Sequence, residues 1–286
     1  MNTTSGKKIN NLAFTIAYGD SRFSYMAETL QKSFKYWNPE IEFKIFGDEF
    51  ITPIKNLNKK KIYPKDLKRP KLEILSKLND PDTNYMYIDA DSFVENNLLK
   101  YFKMINENDL IIEYKYNKTG YWSDIKNLNF VKVCQNAGLE NLLPYSINSG
   151  IIMWRGHKSC FKESLDYISK YDLKDSKGLK GDEYYLCAAI QKCKTQVNPI
   201  DYSKIKICKL WNNDFEIKNN KINILNSNIN NFDIIHYGNH NYFNFNILKI
   251  IKKYNSNFKP DVIYYFKAFI LSLKKILKNV SNKNLL

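Results

Sequence analysis

Tyr85-Met-Tyr-Ile-Asp89-Ala-Asp91 is a short, aromatic-rich apolar run that ends abruptly on two carboxylates one residue apart. Its length and composition read as a buried strand. Side chains alternate along a strand, so both acids would point to one side if the strand continued. A turn at this point instead leaves them at the carboxyl end of a sheet, where open α/β folds bind ligands. Two hard oxygen donors there suit Mg²⁺ or Mn²⁺ and, through the ion, a diphosphate. Surface loops carry Asp-x-Asp pairs constantly, so the meaning of this one depends on what accompanies it.

Upstream, Leu12 to Ala17 reads as a first strand ending in Tyr18-Gly-Asp20. Met26, Leu30, Phe34 and Trp37 recur at helical spacing, and Ile41, Phe43 and Ile45 alternate as a second strand. After a lysine-rich connection over 51–68, Pro70 opens a helix carrying Leu72, Leu75 and Leu78. Downstream, Leu98 to Ile105 predicts a helix and Leu110 to Ile112 a strand, and 114–128 reads as a polar, aromatic loop. Asn148-Ser-Gly150 leads into the buried strand Ile151 to Trp154, with Trp154 as core. Phe161, Leu165 and Ile168 mark a helix, and Gly181-Asp182-Glu183 precedes a helical run to Ile190. The asparagine-rich stretch 212–232 reads as loop or hairpin, and Ile234-Ile-His236-Tyr-Gly238 as a strand ending in a histidine. Strands alternating with helices predict an α/β fold with a mostly parallel sheet under helical cover.

At 286 residues, 44% hydrophobic and 15% aromatic, the chain has ample material for one large core. The expected organisation is a flexible N-terminus over 1–11, one main α/β domain over 12–258 and a basic amphipathic C-terminal helix over 259–286. The net charge of +15 invites a nucleic-acid reading, but Arg22, Arg69 and Arg155 are the only arginines. Base readout and bidentate phosphate recognition favour clustered arginine, so no nucleic-acid partner is expected. Met1 to Asn11 lacks the apolar region of a signal peptide, and five cysteines without Cys-x-x-Cys spacing fit reduced thiols in a cytoplasm. Residues 260–278 are apolar, aromatic and basic, which predicts either a helix docked on the core or a peripheral contact with an anionic membrane.

Four landmarks occur in order: a strand ending near Tyr18 to Asp20, Asp89-Ala-Asp91, Asn148-Ser-Gly150, and His236-Tyr-Gly238. Together they resemble the GT-A fold glycosyltransferases, most closely glycosyltransferase family 8, over roughly residues 12 to 245. The resemblance implies a hexose, glucose or galactose, moved from a UDP-sugar donor to a hydroxyl on a glycan, glycolipid or glycosylated protein. It implies Mn²⁺, or Mg²⁺, held by Asp89, Asp91 and His236, with Asp89 also near the donor ribose. It places Tyr18 and Asp20 at the nucleoside, Lys71 near the phosphates, and Asn148 and Gly150 beside the donor sugar. Gly238 completes the histidine element. The chain departs from the family after it, where Asn239-His240-Asn241-Tyr242 replaces a Lys-Pro-Trp grip on the diphosphate, and His240 is the candidate for part of that role. Gly181-Asp182-Glu183 is similar to the Asp-Glu element of the retaining family 6, which implies catalytic roles for Glu183 and Asp182.

Each landmark has a plainer reading. Asp182 suits a helix N-cap, Glu183 a first-turn acid facing the helix dipole, and His236 a structural histidine. Glu183 can serve a retaining reaction or act as general base in an inverting one. Tyr121 and Trp122 can form an acceptor platform or fold inward. A nucleotidyltransferase or sugar-nucleotide hydrolase would use the same metal–diphosphate chemistry, though Tyr18-Gly-Asp-Ser-Arg22 has one glycine where a phosphate loop wants several. A non-catalytic basic binding module is the remaining alternative.

Overall fold

A computed structural model describes residues 8–18, 21–47, 68–116, 145–171, 182–202, 204–209, 215–218, 221–224, 232–238, 245–256, 264–265 and 267–270. Six strands form the central sheet: β1 (Asn10–Ile16), β2 (Glu42–Phe46), β3 (Thr83–Ile88), β5 (Leu110–Tyr116), β6 (Tyr145–Arg155) and β7 (Val197–Pro199). Their order is β2-β1-β3-β6-β5-β7. Every strand but β6 runs the same way, because β6 is antiparallel to both β3 and β5 while the other pairings are parallel. The carboxyl ends of β1 and β3 therefore share one edge of the sheet. The reversed β6 delivers the residues at its start to that same edge.

Alternation along the strands sorts the core. Leu12, Phe14, Tyr85, Tyr87, Ile152 and Trp154 pack on one face with helices α2 (Lys68–Lys77), α4 (Ser159–Tyr171) and α5 (Glu183–Lys192). Ala13, Met86, Ile88, Ile151 and Met153 pack on the other, against α1 (Ser21–Trp37) and the single turn α3 (Leu99–Phe102). Trp154 is core, as read from the sequence: its ring stacks on Tyr85 at 5.1 Å and meets Phe161 edge-on at 5.0 Å. A third cluster joins Met26 and Ala27 of α1 to Ile247, Leu248, Ile250 and Ile251 of α6 (Phe245–Tyr254). Residues 264, 265 and 267–270 are helical, and Tyr264 and Ala268 dock into this cluster. Tyr265 and Phe269 stay exposed on their other side. Among the described residues no helix is long and apolar enough to cross a membrane.

A small second sheet positions the site. It consists of β4 (Ser92–Val94), β8 (Ile207–Lys209) and β11 (Ile234–His236), in the order β4-β11-β8. Asp89 to Asp91 form the turn that carries the chain from β3 in the main sheet into β4. The asparagine-rich stretch contains the hairpin β9 (Phe215–Lys218) and β10 (Lys221–Ile224).

Several elements differ from expectation. Helix α2 begins at Lys68, ahead of Pro70, which sits in its first turn where a missing N–H costs nothing. The predicted helix Leu98 to Ile105 shrinks to α3, because Leu98 and Ile105 are buried by single turns on either side of it. Tyr114 to Tyr116 extend β5 instead of opening a loop. Asn148 to Gly150 lie inside β6 instead of leading into it. Strand β4 is new. Tyr121 and Trp122 lie outside the described residues, as does Cys134, while Cys160, Cys187, Cys193 and Cys208 are free thiols.

Candidate active site

The site grows from a bulge in β6. Ile112 of β5 pairs with Ile152, yet its neighbour Glu113 pairs with Asn148, so Ser149 to Ile151 bow out of that ladder. A bulge frees backbone groups and re-aims them. The Ser149 N–H donates to Glu183 Oε1 at 3.2 Å, and the Gly150 N–H to Asn148 Oδ1 at 3.2 Å. On the β3 side, Gly150 accepts from the Asp89 N–H at 2.8 Å, which fixes the turn that holds both acids.

Asp91 and His236 meet because β4 and β11 pair with Ser92 opposite His236. The Tyr237 N–H closes the end of the ladder on the Asp91 carbonyl at 3.0 Å. His236 Nε2 then stands 2.9 Å from Asp91 Oδ1 and 3.7 Å from Asp89 Oδ2. Donor atoms of Asp89, Asp91 and His236 all lie within 4.8 Å of one another. Ligands at right angles around a small divalent ion stand about 3 Å apart, so this set has the spacing such an ion needs. Two carboxylates and an imidazole also suit Mn²⁺ in ligand type. Burial opposes charge on Asp91, but the His236 imidazole beside it, a backbone hydrogen bond and the Lys71 charge together hold its carboxyl below the usual range.

Gly150 is required by this packing. A Cβ there would lie 2.7 Å from His236 Cε1 and 3.0 Å from Nδ1. Gly150→Ala must therefore push the imidazole off the carboxylates. We expect Mn²⁺ affinity to fall at least about tenfold, as for groups that orient a metal ligand; a calorimetric titration of the folded variant matching wild type would show the ring can yield.

Lys71 is the hub of the other half of the site. It projects from α2, is 8% exposed, and donates to the Ser149 carbonyl at 2.8 Å and to Ser149 Oγ at 2.9 Å. Its Nζ also lies 3.3 Å from Asp182 Oδ2 and 3.4 Å from Asp89 Oδ1. Burial disfavours its charge, but Asp182, then Asp89 and Glu183, more than compensate and raise it above an ordinary lysine. Asp182 occupies the N-cap position of α5, in keeping with its plainer reading, but its side chain makes no cap hydrogen bond. Its carboxylate serves Lys71 instead. Glu183 is pushed up to about 7, first by burial and then by the neighbouring Asp182 charge.

Asn148 uses its side chain locally, on Gly150. Tyr18 stands two residues beyond β1, on the edge where Asp89 lies. Gly238 follows His236 with φ of 77°, a conformation that favours glycine. Asp20 and His240 lie outside the described residues. Sequence reasoning missed two participants. The Tyr87 hydroxyl donates to Asp89 Oδ1, and it was findable because residues two apart on a strand share a face. Ser149, between Asn148 and Gly150, joins Lys71 to Glu183.

No protein-family model matches this chain, and no curated protein does. Among solved structures it is similar to a glycosyltransferase involved in glycosylation of the major capsid of PBCV-1, at 8% identity and TM-score 0.49, covering 86% of this chain and 99% of that one. It is also similar to the galactosyltransferase LgtC in complex with donor and acceptor sugar analogues, at 12% identity and TM-score 0.46, covering 90% and 99%. Mouse xyloside xylosyltransferase 1 matches at 11% identity and TM-score 0.42, covering 82% and 99%.

Proposed function

We propose that this protein is a metal-dependent glycosyltransferase of the GT-A type, moving a hexose from a UDP-sugar to a hydroxyl of a glycan-type acceptor with retention of configuration. The observation that carries the proposal is the convergence of Asp89, Asp91 and His236 at the carboxyl edge of the sheet, beside Lys71 and Glu183. Catalytic metal sites on such edges face the ligand crevice. When bound, a divalent cation supplies Lewis-acid stabilisation of a departing diphosphate.

The chain's own residues supply the rest. Asp89, Asp91 and His236 offer the donor atoms. Lys71 balances the carboxylates of Asp89 and Asp182 and brings an ammonium beside the candidate metal ligands, where it would offset phosphate charge. Glu183 is held by the Ser149 N–H, and its carboxylate stabilises positive charge building on the sugar ring. The bond from the sugar's anomeric carbon to the diphosphate oxygen breaks, its electron pair leaving with the diphosphate. The acceptor hydroxyl oxygen takes its place on the same face of the ring, and its proton passes to the departing diphosphate oxygen.

A thermal-shift panel of UDP, GDP, CMP and ATP, each with and without Mn²⁺, tests the donor class. A ligand at a hundred times its Kd stabilises by about 2.7 kcal/mol, a rise of a few degrees in Tm for a domain of this size. We expect that rise with UDP plus Mn²⁺ and not with the other nucleotides. Equal shifts without metal would refute the proposal.

A further inference from the structure

The small sheet that presents His236 is fragile by construction. Strands β4, β8 and β11 have three residues each. In a strand, a one-residue slip turns every side chain to the opposite face. A slipped β11 would turn His236 away from Asp91, and Ile235 or Tyr237 would take its place. Something must fix the register beyond so short a ladder.

Among the described residues, a dense knot of hydrogen bonds lies at the far end of the ladder from the acids. Asp233, 1% exposed, immediately precedes β11. Its carbonyl accepts from the Glu95 N–H at 3.0 Å, just past β4, and its N–H donates to the Lys206 carbonyl at 2.8 Å, just before β8. Its Oδ2 accepts from the Tyr101 hydroxyl and, at 2.8 Å, from Lys100 Nζ. The same Tyr101 oxygen accepts from the Lys206 N–H at 3.3 Å and lies 3.3 Å from the Lys204 carbonyl. Tyr101 itself is 1% exposed and anchored on α3. One buried hydroxyl thus staples the entry of β8 to the entry of β11. Charge-assisted hydrogen bonds of this kind are the strong ones.

We infer that the buried Tyr101–Asp233 pair is the register pin that presents His236 to Asp91, so that these two residues are positioning residues for the site without touching anything bound there. This rests on the metal-site reading for its consequence, but not for its geometry. The pin sits three residues from His236 along a strand whose other end is closed by the Tyr237–Asp91 bond. Loosening it frees the strand to shift towards or away from the acids.

Two readouts separate the inference from the function it serves. The chain has three histidines, so ¹⁵N-histidine spectra of the metal-free protein, assigned with His236→Gln, report the His236 ring directly. Mn²⁺ titration followed by electron paramagnetic resonance reports the site. In Asp233→Asn and Tyr101→Phe we expect the His236 signal to move or broaden and the Mn²⁺ Kd to rise about tenfold. Phe161→Leu, in the opposite core, serves as a control that lowers Tm and leaves both readouts alone. A His236 signal and Mn²⁺ affinity both unchanged in the folded variants would overturn the inference. If Asp233→Asn does not fold, Tyr101→Phe, which removes one oxygen and keeps the ring, decides. A wild type that binds no Mn²⁺ while its variants still displace the His236 signal would leave the pin standing and remove the metal reading.

Discussion

Asp91→Asn should abolish glycosyl transfer while leaving the fold in place. The substitution keeps the shape of the side chain and removes one anionic oxygen donor from the Asp89, Asp91 and His236 set. Two losses follow together. The site has one hard anionic ligand fewer, so Mn²⁺ affinity should drop by at least about 100-fold, and the Lewis-acid contribution it supports, worth several kcal/mol, disappears with it. Turnover should fall by about a thousandfold or more even at saturating Mn²⁺. The backbone bond from Tyr237 to the Asp91 carbonyl does not involve the side chain, and the β4–β11 pairing persists. Circular dichroism and Tm should therefore stay near wild type. Full turnover of the variant at saturating metal would remove Asp91 from the site, and with it the central premise of the proposed function.

Asp91 was legible in the sequence for a reason that does not extend to its neighbours. An aromatic strand that ends on two carboxylates is a local pattern, and β3 fits it with every residue from Thr83 to Ile88 buried. The helices α1 and α4 were equally legible, since Met26, Leu30 and Phe34, or Phe161 and Ile168, each need only one apolar stripe. Strand β4 was not. Ser92-Phe-Val is too short to carry a period, and it exists because β11, far along the chain, pairs with it. The predicted helix at Leu98 failed for the opposite reason: apolar spacing was present, but isolated turns bury those side chains as well as a helix would. Asp182 shows local chemistry yielding to tertiary contact, with the N-cap bond forgone for an ion pair to Lys71. Lys71 could not be singled out by composition in so lysine-rich a chain. Its burial on the packed face of α2 is what distinguishes it, and burial is a property of the fold.

Glu183→Gln is expected to cost turnover and gain stability, and the two effects carry different information. Electrostatic and acid–base contributions of a single positioned carboxylate are worth about 100- to 10,000-fold, so kcat should fall at least about 100-fold while UDP-sugar KM changes little. A change confined to KM would make Glu183 a binding group instead. Stability should move the other way. Burial and Asp182 lift the Glu183 carboxyl from 4.5 to about 7, so the folded state favours its neutral form. That contribution is fully present below pH 4.5 and is lost as pH rises through about 7, because the unfolded chain releases the proton first. By pH 8 the wild type has forfeited up to about 3 kcal/mol that a neutral glutamine does not forfeit. Urea denaturation in the presence of EDTA should thus find the two proteins alike near pH 4.5 and the variant more stable at pH 8. Parallel stability curves would mean that Glu183 is already ionised at low cost, its burial offset by Lys71 and the Ser149 N–H. A divergence near neutral pH together with lost turnover would identify a carboxylate kept at an energetic disadvantage for the reaction it serves, as pKa values displaced by burial at active sites commonly are.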